Sequence, residues 1–113
     1  MSVAGFVFVF PVQSSHAAGK TVKVIFRYHA TRRMFERRIA DTDILGILTT
    51  AKVIESYPSD QPYPSRLIFG YSADRPVHIV VADNLVEQSV IIITVYEPDL
   101  DTWEPGFERR KKL

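Results

Sequence analysis

The chain reads as one α+β domain, with two N-terminal helices packed on a four-stranded, mainly antiparallel sheet. Three observations predict this. Residues 28–38 (YHATRRMFERR) are rich in helix formers and hold neither Gly nor Pro. Ile44, Ile47, Leu48 and Ala51 recur at the i, i+3, i+4, i+7 spacing of one buried helical stripe. After Lys52 the pattern changes to alternating, β-branched segments separated by Pro, Asp and Asn. A chain of 113 residues, 46% of them hydrophobic, suffices for one core and is too short for two.

The first nineteen residues stand apart. Ala4 to Val12 (AGFVFVFPV) is apolar and is followed by small residues, which resembles a secretory leader. No Lys or Arg precedes the run, and Pro11 interrupts its end. The alternatives are an edge strand, with Phe6, Phe8 and Phe10 on one face, or an extension from an upstream start codon. The extension is favoured, so the domain is expected to span residues 20–113 and to tolerate removal of residues 1–19.

Thr21 to Phe26 (TVKVIF) is a candidate short strand. A helix is expected near 29–38 and breaks at Ile39–Ala40. Asp41 is the expected N-cap of a second helix near 42–51, with Asp43 in the first turn where the helix dipole favours a carboxylate. Strands are expected near 53–57, 66–71, 76–82 and 89–96. Pro58, Pro62 and Pro64 make the segment after the first of these a loop, because proline removes ladder donors. Ser72 to Arg75 is a tight connection, and a turn begins at Asp83–Asn84. Ser89 to Tyr96 (SVIIITVY) carries the strongest strand signal. Short links between these strands predict a meander. Asp101 to Arg110 is expected to return Trp103 and Phe107 to the domain as a helical turn.

Composition excludes some chemistry. There is no cysteine, so thiol nucleophiles, disulfides and zinc–thiolate sites are out. His16, His29 and His78 are too scattered to suggest a metal site, and no cofactor is expected. No stretch reaches the ~20 apolar residues of a membrane-spanning helix. The net charge of +1 predicts no polyanion partner by itself, but basic residues cluster at Arg32, Arg33, Arg37, Arg38 and again at Arg109 to Lys112.

The first helix carries the most reactive combination. At 100° per residue, His29, Arg33 and Glu36 lie within about 60° of one another, flanked by Arg32 and Arg37, with Ala30 and Met34 marking the buried side. An imidazole, a carboxylate and several guanidiniums are the groups needed to cleave RNA through its 2′-hydroxyl. A base takes the hydroxyl proton, an acid protonates the leaving oxygen, and planar guanidiniums hold the charge that builds on phosphate. The plainer reading is an amphipathic helix with an Arg32–Glu36 pair worth a few tenths of a kcal/mol. His78, inside the apolar run VHIVVA, reads first as a hydrogen-bonded core residue and becomes a catalytic candidate only if its sheet face lines the same cleft. Tyr96 shares a strand face with Thr94 and is a candidate base-stacking residue. Arg109 either reaches the cleft or frays with the tail.

The strings His29-Ala30-x-x-Arg33-Met34-x-x-Arg37-x-Ile39, Val53-Ile54-Glu55-x-Tyr57, Pro76-Val77-His78-Ile79-Val80 and Ile93-Thr94-Val95-Tyr96-x-Pro98-Asp99-x-x-x-Trp103 together resemble the domain-of-unknown-function family 4258, in order, over about residues 24 to 110. That family is similar to the BrnT and RelE-like toxins, which are ribonucleases. The resemblance implies helices packed on an antiparallel, RelE-like sheet and a cytoplasmic bacterial protein. It also implies a small antitoxin partner, RNA or the ribosome as target, and metal-independent endoribonuclease activity. His29, Arg33, Arg37, His78, Thr94 and Tyr96 match its pattern. The alternative is a non-catalytic binding module of the same fold that interacts with a small partner protein, since fold similarity does not transfer function.

Overall fold

A computed structural model describes residues 7–12 and 20–112, with side chains described from residue 22 onward. In chain order the elements are β1 (Val7–Val12), β2 (Lys20–Phe26), α1 (Tyr28–Arg37), α2 (Asp41–Thr50), β3 (Lys52–Tyr57), β4 (Ser65–Ser72), β5 (Arg75–Asn84) and β6 (Ser89–Tyr96). The two helices and the four later strands lie close to their expected positions. The sheet itself differs from the one expected.

Strands β2 to β6 form a mixed sheet in the order β2-β6-β5-β4-β3, and β1 extends it beyond β2 to six strands. The expectation of a four-stranded, mainly antiparallel sheet is therefore corrected. β2 joins parallel to β6, with Val24 opposite Val90 and Phe26 opposite Ile92, while β3 through β6 pair antiparallel as a meander. The local pattern marked residues 21–26 as strand-forming. Pairing with a strand more than sixty positions later leaves no trace in local periodicity. β1 runs antiparallel to β2, from Val7 opposite Ile25 to Val12 opposite Lys20. Residues 7–12 thus have the backbone of an edge strand. Phe6 and the side chains of Phe8 and Phe10 lie outside the described residues.

Alternation along the strands builds two faces. Val77, Ile79 and Val81 of β5, Ile68 of β4 and Ile92 and Val95 of β6 point to one face. There they form a single buried core with Ala30 and Met34 of α1 and Ile44 and Ile47 of α2. Each buried side chain of this size is worth about 1.5–3 kcal/mol. α2 sits directly on β4. A Cβ at Gly70 would come within 2.7 Å of Ile47 Cγ2, so only glycine admits this approach. The true N-cap of α2 is Ala40, one residue before the expected Asp41, and the Asp43 carboxylate accepts the Ala40 N–H at 3.3 Å. Asp43 also accepts the Ser72 hydroxyl at 3.0 Å, which ties α2 to the end of β4.

α1 is anchored from outside. The Arg27 N–H donates to the Ile92 carbonyl at 3.1 Å, fixing the helix start beside β6. Its C-cap, Arg38, is left-handed at φ 57°, a conformation that costs a non-glycine residue on the order of 1 kcal/mol or more. The Arg75 guanidinium donates to the carbonyls of both Arg37 and Arg38 at 2.7 Å and offsets that cost.

The C-terminal segment covers the second face of the sheet. It is not the helical turn expected for residues 101–110. Trp103 and Arg110 form an antiparallel bridge, and Lys111 N–H donates to the Thr102 carbonyl at 2.8 Å. Trp103 is 2% exposed and meets the His78 ring edge-on at 4.5 Å. Among the described residues no helix is long and apolar enough to cross a membrane.

Candidate functional site

Only Ala30 and Met34 of α1 are buried, so most of this helix faces outward. β2 ends at Phe26 while β6 continues, which leaves an open edge of β6 beside the first turn of α1. His29 fills that edge. Its Nε2 lies 3.0 Å from the Thr94 Oγ1 of β6, and its Nδ1 makes no hydrogen bond to any described residue. β6 carries one extra residue relative to β5 between Val80 and Val81, and Ile93 is the residue left without a partner. This bulge sits immediately before Thr94, a position where bulges commonly re-aim a side chain.

His29, Arg32, Arg33 and Glu36 line an open cleft of about 270 Å³. Glu36 faces both guanidiniums, with Arg32 Nε at 3.4 Å and Arg33 Nη1 at 3.6 Å. These pairs are well exposed and contribute little to stability. Their effect is to hold two cations and a carboxylate beside one imidazole. Helical spacing brings His29, Arg33 and Glu36 to this cleft together with only one of the two flanking arginines, Arg32.

The other sequence-predicted residues lie elsewhere. Arg37 does not line the cleft, and its carbonyl is engaged by Arg75. Arg109 sits across the molecule beside the edge strand β3, in a second groove with Lys52 and Glu108, paired to Glu104 at 3.4 Å. His78 and Tyr96 lie on the second sheet face under the C-terminal strap. Tyr96 projects from the same face of β6 as Thr94, two residues on, but is turned to His78.

His78 is completely buried and both its ring nitrogens are occupied. The Phe107 carbonyl can only accept, so Nε2 is the protonated nitrogen, donating at 2.8 Å. Nδ1 then accepts from the Tyr96 hydroxyl at 3.1 Å. Burial pushes the imidazole below its ordinary pKa despite the carbonyl contact, and the nearby Arg110 charge acts in the same direction. His78 is therefore a neutral latch between the sheet and the strap, with no nitrogen free to transfer a proton to a ligand.

Around this latch lies a network that the sequence did not reveal. Arg110 spans both Glu55 oxygens, at 2.8 and 3.2 Å, and lies 4.6 Å over the Trp103 ring. Tyr57 donates its hydroxyl to the same carboxylate. The Arg110 hydrogen bonds hold Glu55 below the usual carboxylate range, while burial raises the Tyr57 and Tyr96 hydroxyls. Two further signals were also missed: the His29–Thr94 contact, and the outer stripe of α1, where Tyr28 is 68% and Phe35 86% exposed.

Fold and cleft together define an α+β domain with an exposed, arginine-rich helix set against the edge of a mixed sheet. The chain belongs to the family described as Domain of unknown function (DUF4258), whose model matches residues 26–97, more than half of its length. The match includes α1, α2 and strands β3 to β6, and stops before the strap. No curated protein and no solved structure matches the chain.

Proposed function

We propose that the α1 cleft binds the phosphodiester backbone of RNA and cleaves it without a metal, as an endoribonuclease of the toxin type that the BrnT and RelE-like resemblance implies. The single observation that carries this reading is His29, held at 3.0 Å by Thr94 with its other nitrogen engaged by no described residue, in one cleft with Arg32 and Arg33. In this mechanism His29 takes the 2′-hydroxyl proton. The 2′-oxygen attacks phosphorus and the bond to the 5′-oxygen breaks, leaving a cyclic phosphate and a 5′-hydroxyl. Arg33 holds the charge that builds on the phosphoryl oxygens. Glu36 orients the guanidiniums as their paired carboxylate. The leaving 5′-oxygen takes its proton from water, which the open cleft admits, while the proton held by His29 passes to solvent. The protein is proposed to act in the bacterial cytoplasm, with a small acidic antitoxin covering the same arginines.

The test is cleavage of a defined RNA, alone and with ribosomes, by wild type and variants of equal thermal stability. Arg33→Ala is expected to slow cleavage about a hundredfold, the usual effect of losing one stabilising donor, and His29→Ala comparably. A wild type that leaves RNA intact under both conditions ends the enzyme reading. The second reading, a binding module, is favoured by one observation: the Arg33 and Glu36 side chains are 46% and 44% exposed, so the cleft does not exclude water. Binding of RNA without cleavage selects it.

A further inference from the structure

Tyr28, Arg32 and Phe35 succeed one another at i, i+4 and i+7 and so form one stripe along α1, within about 60° of each other. The buried residues Ala30 and Met34 occupy the far side of the helix, so this stripe is its outermost line. It is unusual for an unpartnered helix. Phe35 is 86% and Tyr28 68% exposed, and no ring contact to either is formed among the described residues. Among the described residues neither ring contributes to the core cluster.

The surroundings identify the kind of partner. Residues 27–38 hold five arginines (Arg27, Arg32, Arg33, Arg37, Arg38) and one carboxylate, Glu36. A strongly cationic surface with aromatic faces between the cations is the combination that binds single-stranded nucleic acid: guanidiniums follow the phosphates and rings stack on bases. Tyr28 and Phe35 are separated by about 10 Å along the helix, at 1.5 Å rise per residue. That is close to three steps of a stacked strand at about 3.4 Å each, with Arg32 placed between them to meet the intervening phosphates. The adjacent cleft then receives the backbone at His29 and Arg33.

We infer that the outer stripe of α1 is a single-strand platform, with Phe35 and Tyr28 stacking on bases on either side of the phosphate held at the cleft. The inference rests on the proposed RNA reading and names its substrate class as unpaired RNA. In a duplex both faces of every base are already stacked, so the aromatic stripe would contact only a backbone.

The experiment measures binding with a His29→Ala protein, so that the RNA stays intact, using a fluorescently labelled mixed-sequence 12-nucleotide RNA and the same RNA annealed to its complement. Phe35→Ala is expected to weaken single-strand binding roughly five- to a hundredfold while leaving the salt dependence unchanged. Arg32→Ala should lower the slope of log affinity against log salt by about one. Phe35→Trp should retain binding and Phe35→Leu should lose it, because leucine keeps the apolar area without a π face. Equal affinity for single strand and duplex overturns the inference. So does Phe35→Leu binding as well as wild type, or a Phe35→Ala protein that binds RNA normally but loses self-association or a protein partner. The two readings fail separately: RNA cleaved with no dependence on Phe35 removes the platform alone, and RNA bound through Phe35 but never cleaved removes the enzyme alone.

Discussion

Trp103→Ala separates the strap from the domain beneath it. Trp103 is 2% exposed and its ring is packed between His78, at 4.5 Å, and the Arg110 guanidinium, at 4.6 Å. Truncating a buried tryptophan costs about 3–5 kcal/mol. The lower figure applies here, because the cavity lies beneath a segment that can lift away. The main core, built from β2, β4, β5 and β6 with both helices, does not include Trp103. The loss should therefore appear as release of residues 99–112 rather than collapse of the whole domain. About 3 kcal/mol corresponds to roughly two orders of magnitude in the opening equilibrium, at 1.36 kcal/mol per tenfold. Trypsin at low concentration, where cleavage tracks the open population, should remove the tail at Arg109 to Lys111 about a hundredfold faster in the variant. Fragments from within residues 26–97 should appear much later. Equal tail cleavage in wild type and variant would refute the idea that Trp103 holds the strap. Simultaneous cleavage of tail and domain would show that the two unfold as one unit.

Two further outcomes follow from the packing. His78 is held neutral by burial, with its folded pKa below the ordinary value of 6.5. The unfolded chain then binds the proton first, so stability is full above that value and falls as pH drops below it toward the folded pKa. Denaturant midpoints across this window should show the slope, and His78→Gln should flatten it. Gly70→Ala should cost about 1–3 kcal/mol by overpacking, because the new methyl would lie 2.7 Å from Ile47 Cγ2. Combination with Ile47→Ala should return part of that loss, and additive effects in the double-mutant cycle would contradict the clash.

Residues close in sequence were legible because their geometry is local. The period of α1 placed His29, Arg33 and Glu36 on one stripe before any fold was known, and alternation along residues 76–82 put His78 opposite Val77 and Ile79. The apolar stripe of α2 and the β-branched run of β6 identified those elements for the same reason. What depended on distant partners was not legible. β2 pairs in parallel with β6, His29 reaches Thr94, and Arg110 closes on Glu55, yet each pair is separated by more than fifty residues. Such contacts are chosen by the burial of a whole sheet face, not by spacing. The tertiary structure also decided between two roles for the same residue type. His29 and His78 both lie within the stretch that the family model matches, but one stands at an open strand edge with a nitrogen that no described residue engages. The other is sealed beneath Trp103 with both nitrogens taken, because the strap folds back over that face and excludes water from it.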